Sequence, residues 1–364
     1  MFLELPIELR ELILSFLTRK EYKETVPCKG LLLCQSYLPI EDFSKLKKLP
    51  LVKFSSSQLE ELFIGFCKNG CLFLAEKLLN EFNVDPSVSA NRAIREASCE
   101  GHLKIVDKLL QDPRVDPSAQ NNYAIIASCN GHLGVVERLP KDPRVDPSDN
   151  YNEAIQYASE QGHTKVVERL LLDERVDPSV SNNFAIRVTS RKGFVEIVER
   201  LLLDSRVNPS EYGWYAIGEA SEEGHIEVVE RLLKDPRVWP SANDNEAIRK
   251  ASENGHIEVV EILLKYPRVN PSDCDNEAIR SASCKGHAKV VERLLLDPRV
   301  DPSAKDDAAI RFAAYNGHLE VVEILLKDDR VDPSADGNYA IRWALKNGHT
   351  EVVERLLEDP RVWF

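Results

Sequence analysis

Apolar positions in this chain recur in two arrangements on either side of a repeated glycine. After the glycine, Val321, Val322, Leu325 and Leu326 stand at i, i+1, i+4 and i+5, and the set returns in VVERLLL (290–296) and VVEILLK (259–265). That spacing lays one apolar stripe along a helix. Before the glycine, NEAIRSAS (276–283) and NYAIRWAL (338–345) carry a narrower stripe, with Ile279 and Ala282 three apart, on a second helix. The glycine closes this leading helix, where the chain needs a left-handed residue. Asn276 and Asn338 occupy the place of an N-cap, as do Asn91, Asn152, Asn183, Asn245 and Asp307 in other copies. DPRVDPS ends the trailing helix, because proline lacks the N–H and clashes with the preceding turn, and reads as an extended connector. On the outer face Glu227–Arg231 and Glu351–Arg355 are spaced for i,i+4 ion pairs.

The glycines are Gly70, Gly101, Gly131, Gly162, Gly193, Gly224, Gly255, Gly286, Gly317 and Gly348. They mark ten units at one constant period, except that the step from Gly101 to Gly131 is one residue short. Such a period means a solenoid, in which each unit buries its apolar face against its neighbours. The expected fold is all-α: a helix-turn-helix solenoid over 59–364, a bridge at 51–58 and a small helical region at 1–50. The first copy, EELFIGFCKNGCLFLAEKLL (60–79), diverges as a terminal repeat would. The third lacks one residue in NYAIIAS and has Pro140 where others have Leu, so an irregularity is expected within 118–145. Trp363 and Phe364 either cover the last core or leave it to another surface.

From Ala340 to Leu357 the chain matches, slot by slot, the pattern T-P-L-H-x-A-A-x-x-G-H-L-E-V-V-x-L-L-L, and it resembles the ankyrin repeat over about residues 57–364. There are departures. The period falls short of the ~33 residues usual in that family. Asn-x-Ala replaces T-P, and the histidine slot holds Arg95, Arg187, Arg249, Arg280, Arg311 and Arg342. A proline-stiffened loop is expected in place of the usual β-hairpin finger.

Outside the repeats, ELPIELRELILSFL (4–17) starts with Pro6 at a first helical position and builds a stripe of Leu9, Leu12, Ile13, Phe16 and Leu17. It resembles the opening of an F-box, L-P-x-E-[IL]-x-x-x-I-L-x-x-L, through Leu5, Pro6, Glu8, Leu9, Ile13, Leu14 and Leu17. That resemblance implies docking on the Skp-type linker subunit of a cullin–RING ubiquitin ligase, with Leu5, Pro6, Leu9, Ile13 and Leu17 as contacts. Tyr22 departs from the usual Leu, VPCK (26–29) carries an extra proline, and the tryptophan expected soon after is missing. The other reading is a helix that caps the solenoid. F-box chains with short ankyrin repeats look like those encoded by large DNA viruses of protists, an analogy at the level of fold.

Charge narrows the partners. Net charge is −13; residues 1–56 hold nine Lys/Arg against seven Asp/Glu, and the remainder 38 against 53. An acidic body opposes nucleic acid and favours a basic protein target. The start MFLELPIELR has no basic n-region before an apolar core, and the run Leu31–Cys34 is far too short to span a bilayer, so no membrane is expected. Eight cysteines in a chain of 364 read as reduced thiols of a cytoplasmic protein.

The chemistry-bearing residues follow the period. All eight histidines, His102, His132, His163, His225, His256, His287, His318 and His349, directly follow a repeat glycine. A general base or metal ligand is placed by chemistry and not by periodicity, so these read as structural. Cys67 and Cys71 form a lone pair, too little for a zinc site, and Cys99, Cys129 and Cys284 share a variable slot that reads as surface. No phosphate loop, H-E-x-x-H or kinase signature occurs. The chain is expected to be a binding protein and no enzyme, without cofactor.

Binding belongs where copies differ. Five before the glycine stand Glu96, Tyr157, Val188, Glu219, Lys250, Ser281, Phe312 and Trp343. Tyr157, Phe312 and Trp343 are target-binding candidates there, or they fill gaps between repeats. In EYGWYAIGEASEEGH (211–225), Tyr212, Trp214 and Tyr215 replace small polar residues, with Trp214 in the asparagine slot. Tryptophan and tyrosine are enriched at interface hot spots, and Glu219, Glu222 and Glu223 nearby would prefer a basic partner. Trp239, in VWPS, is a further candidate. The reading is an adaptor between a target and a ligase linker; the alternative is an ankyrin scaffold or inhibitor whose N-terminus only caps.

Overall fold

The computed structural model describes residues 55–211 and 216–362. Among these there are twenty α-helices and no strand. The chain divides into two compact units, to Tyr157 and from Ala158. The first holds α1 (Ser56–Lys68), α2 (Leu72–Phe82), α3 (Val88–Cys99), α4 (Leu103–Leu110), α5 (Ala119–Ser128) and α6 (Leu133–Arg138). The division falls within α7 (Asp149–Glu160). The second holds α8 (Thr164–Leu171), α9 (Val180–Lys192), α10 (Val195–Leu202), α11 (Ala216–Glu222), α12 (Ile226–Leu233), α13 (Ala242–Glu253) and α14 (Ile257–Leu263). It continues through α15 (Asp273–Lys285), α16 (Ala288–Leu295), α17 (Ala304–Asn316), α18 (Leu319–Leu326), α19 (Ala335–Asn347) and α20 (Thr350–Leu357).

Within each unit, leading helices pack on leading helices and trailing on trailing, with the core between the two layers. Ala278, Ile279 and Ala282 of α15 and Val290, Val291 and Leu294 of α16 are buried, as the apolar stripes require. Each buried Val, Leu or Ile contributes about 1.5–3 kcal/mol. In the first unit Pro140 ends α6 after six residues, and Leu139–Lys141 continue as a 3-10 turn that still buries Leu139.

The asparagines are not N-caps. Each is the third residue of a left-handed turn, as in Cys274–Asp275–Asn276 (φ 53°, 56° and 59°) and Asn243–Asp244–Asn245 (φ 52°, 53° and 58°). The turn is closed by its third N–H, which donates to the serine carbonyl four residues back, Asn276 to Ser272 at 2.9 Å. Left-handed conformation costs an ordinary L-residue about 1–2 kcal/mol, less for Asn and Asp, so neighbours must hold it. The buried Asn276 Oδ1 accepts from the Asp301 N–H of the next connector (2.8 Å); Asn183 and Asn245 do the same with Asn208 and Asn270, and Asn91 and Asn122 with Asp116 and Asp146. From the other side the arginine of the former histidine slot donates to the turn's carbonyls. Arg280 Nε reaches Asp275 O at 2.9 Å and its Nη2 reaches Cys274 O at 3.1 Å; Arg249 and Arg95 repeat the pattern. By contrast α1 has a true capping box, Ser55 with Gln58.

The connector is turned and clamped, not extended. Asp297 accepts from the Arg299 backbone and Nε and pairs with its Nη2 (2.7 Å), while Arg299 Nη1 donates to Val269 O of the preceding repeat. Two residues on, Asp301 Oδ1 accepts from Ser303 N and Oγ. Proline sets the course of the segment, but these carboxylates bend it. The outer-face ion pairs also differ from the i,i+4 expectation. Arg231 reaches Glu199 (2.8 Å) and Arg200 reaches Glu168 (2.6 Å), both on the preceding trailing helix, and Arg355 pairs with Glu358. The stacked helix offers a carboxylate directly opposite, and exposed pairs of this kind contribute at most about 1 kcal/mol.

Titration divides these carboxylates into two kinds. The Arg299 hydrogen bonds hold Asp297 below the usual carboxylate range, so its contribution is present above the unfolded-chain value and is lost as pH falls through the lowered one. Burial raises Asp307, which stands in the asparagine slot and accepts from Asp332 N–H, so it favours the fold in acid and opposes it as pH rises. Asp307→Asn is therefore expected to stabilise by about 0.5–2 kcal/mol at pH 7, and by much less at pH 3, in paired thermal melts. Asn276→Ala leaves the Asp301 N–H without its acceptor at a cost of about 1–3 kcal/mol. Hydrogen exchange should show the Asp301 amide losing protection before amides of α20.

Candidate functional site

The apolar face of a leading helix turns inward, and its other face stays open to solvent. On α17 and α19 that open face is aromatic. Phe312 and Tyr315 are 36% and 38% exposed, one turn apart, and Tyr339 and Trp343 lie half-buried at i,i+4 on the neighbouring helix. The Trp343 ring centroid is 5.5 Å from that of Tyr315 and 5.6 Å from that of Tyr339, both tilted. Aromatic pairs at such separations add about 0.5–1.5 kcal/mol beyond area burial. Lys346 Nζ sits 4.0 Å over Trp343, and the Arg311 guanidinium 5.0 Å over Tyr339. The Tyr315 carbonyl accepts from His349 Nε2 and Asn347 Nδ2, which ties α17 to the next repeat. Arg311 also pairs with Asp336 at 2.6 Å. The rings therefore stand on a braced surface.

Phe312 and Trp343 thus share one face, joined by Tyr315 and Tyr339, which the slot comparison missed. The signal was present: Tyr339 and Trp343 share a helix face by spacing, and so do Phe312 and Tyr315. What put them together was the stacking of α17 on α19. Trp239 is elsewhere, 65% exposed on a connector. Its backbone N–H donates to Ser210 Oγ (3.1 Å), where the corresponding amide of other repeats donates to the asparagine of a slot that in this repeat's sequence is Trp214. Tyr157 is half-buried at the end of the first unit. Tyr212, Trp214 and Tyr215, the segment Leu5, Pro6, Leu9, Ile13 and Leu17, and Trp363 and Phe364 lie outside the described residues.

The acids of 211–225 are not waiting for a basic partner. Arg191 lies 3.9 Å from Glu219 and 3.5 Å from Glu223, and Lys250 lies 3.4 Å from Glu222. Burial raises the Glu219 carboxyl above its ordinary value. Leading helices stack closely enough for each cation to reach the neighbouring helix, which sequence spacing within one helix does not reveal.

The histidines pack. His256, His287 and His318 each donate Nε2–H to a carbonyl 34 residues upstream, at Glu222 (2.9 Å), Glu253 (2.9 Å) and Cys284 (3.0 Å). These are carbonyls near the ends of leading helices, which lack intrahelical partners. The ring covers the preceding repeat's glycine so closely that a Cβ on Gly286 would lie 2.6 Å from His318 Nδ1. In one repeat Phe194 takes the same place over Gly162. Among the described residues no group of His, Cys, Asp and Glu is arranged to hold a metal, and no helix is long and apolar enough to cross a membrane.

Cys129 is fully buried, unlike Cys99 and Cys284 in the same slot, because the shortened repeat turns it inward. Burial pushes the thiols of Cys67 and Cys129 far up, which leaves them unreactive, whereas Cys274 is exposed. Mass-spectrometric mapping after brief alkylation should find Cys274 modified and Cys67 and Cys129 intact until the chain is denatured.

No curated protein matches the sequence. Three copies of the ankyrin-repeat family model match, over residues 94–182, 219–306 and 279–362, well over half of the chain. Proteins of this family are generally interaction modules without catalysis. By its helix pairs, its glycine–histidine stacking and these matches, the chain belongs to the ankyrin-repeat family.

Proposed function

We propose that the protein is an interaction adaptor whose target docks on the open face of its leading helices, at Phe312, Tyr315, Tyr339 and Trp343. The observation that carries the reading is the Trp343 cluster. Large rings stand part-exposed on braced helices, where ordering them costs little entropy on binding, and such residues dominate interface energetics. Tyr157, Trp239, Tyr212, Trp214 and Tyr215 are secondary candidates, supported by their departure from the repeat pattern. A photo-cross-linking residue in place of Tyr315 should give a discrete protein adduct in cells, and the same residue in place of Leu296, exposed on the trailing-helix side, should not. Equal labelling from both positions would refute a site on the leading helices.

The second arm of the adaptor is residues 1–50, supported by the match of Leu5, Pro6, Leu9, Ile13 and Leu17 to the F-box opening. A Skp-type linker protein titrated calorimetrically should bind saturably, and Pro6→Ala with Ile13→Asp should abolish binding without change in helical content. A well-folded chain that does not bind would reduce the protein to an ankyrin scaffold with a capped N-terminus.

A further inference from the structure

The acidic body of the chain points to a basic partner, yet the aromatic face has the opposite sign. Residues 308–318 and 338–349, AAIRFAAYNGH and NYAIRWALKNGH, contain no Asp or Glu. Asp306, Asp307 and Asp336 belong to the left-handed turns just before these stretches, Asp336 paired with Arg311, whereas some corresponding stretches upstream do carry acids, for example Glu277 in α15 and Glu246 and Glu253 in α13. Most connector arginines are neutralised by their own Asp, as Arg330 is by Asp328 at 2.6 Å. Arg342 and Lys346 are both exposed and have no ion pair among the described residues. Arg342 Nη2 donates only to the Asp336 carbonyl (3.0 Å), and Lys346 lies over the Trp343 ring at 4.0 Å. Two cations without a carboxylate partner thus stand on the helix that carries Tyr339 and Trp343, on a molecule that elsewhere carries surplus negative charge.

We propose that this face, Phe312, Tyr315, Tyr339 and Trp343 with Arg342 and Lys346, recognises an acidic protein segment with an apolar or aromatic anchor. The inference rests on the docking face proposed above and adds the chemistry of its occupant. The anchor takes the ring surface, and carboxylates beside it pair with Arg342 and Lys346, freeing Lys346 from the indole. The surrounding negative field slows the encounter but raises selectivity: a lysine-rich segment attracted to the acidic body meets like charge at the rings. A nucleic acid strand also pairs stacking with cations. Its continuous phosphate charge is repelled by the net −13 of the chain, whereas a short acidic segment presents charge only where the two cations stand.

The test is selection of a random dodecamer peptide library displayed on phage against three forms of the full chain: wild type, Trp343→Ala, and Arg342→Glu with Lys346→Glu. Trp343→Ala alters a half-buried side chain, and Arg342→Glu also removes a hydrogen bond to the Asp336 carbonyl, so Lys346→Glu alone is carried alongside and only forms whose circular dichroism melts match wild type are compared. Peptides enriched on wild type and lost on Trp343→Ala should be net negative with an apolar or aromatic residue, and the charge-reversed form should enrich net positive ones. Trp343-dependent peptides that are neutral or positive would overturn the acidic preference and leave the docking face standing. If no peptide depends on Trp343, the docking face falls as well. A labelled single-stranded thymidine dodecamer that binds wild type more tightly than the best peptide, and is lost on Trp343→Ala, would replace protein with nucleic acid as the occupant.

Discussion

The left-handed turn is the feature on which the rest of a repeat depends in those described repeats that carry it. Three successive residues at φ near +55° form a conformation that a chain of L-residues does not keep unaided. It persists because it is held from two sides. The asparagine oxygen receives an N–H from the next connector, and the arginine of its own helix reaches back to the turn's carbonyls. Asparagine and aspartate fill many of these places because their short polar chains lower the cost of left-handed backbone. The arginine that replaces the family's usual histidine has its explanation in the same geometry: it is long enough to bridge a turn that a β-hairpin finger does not contain.

The same bonds make neighbouring repeats depend on each other. Arg299 holds its own connector through Asp297 and the preceding one through Val269, while His318 covers Gly286 and donates to Cys284. No repeat completes its hydrogen bonding alone, so stability accumulates through nearest-neighbour contacts, as expected of a quasi-one-dimensional fold. This accounts for the uniformity of the packing slots. A change at one position must be answered nearby, as the Trp239 backbone N–H takes Ser210 Oγ as its acceptor.

Function is left to the slots that such bookkeeping does not constrain. The open face of α17 and α19, the docking site proposed above, is one such set of slots, where Trp343 is held by Tyr315, Tyr339 and Lys346 and Tyr339 by Arg311. Its charge opposes that of the whole chain, because net charge is a sum over the surface while recognition is decided over a few ångströms. The paired acids near Glu219 make the same point from the other direction: a run of carboxylates in sequence is neutralised once the next helix is stacked against it.

The sequence by itself determined the period, the two helices per repeat, the glycine that ends the first, and the structural role of the histidines. Each of these follows from a local rule: apolar spacing, backbone freedom, or strict recurrence. Tertiary structure decided what the recurring polar residues do. Asn276 looks like a helix cap at short range, but its partner is Asp301 in the next repeat; Arg231 looks paired with Glu227, but the nearer carboxylate is Glu199. Tyr315 and Tyr339 joined Phe312 and Trp343 only when leading helices of successive repeats became neighbours. Hydrogen bonds and ion pairs are chosen by distance in space, and in a stacked array the closest partner is a repeat away along the chain.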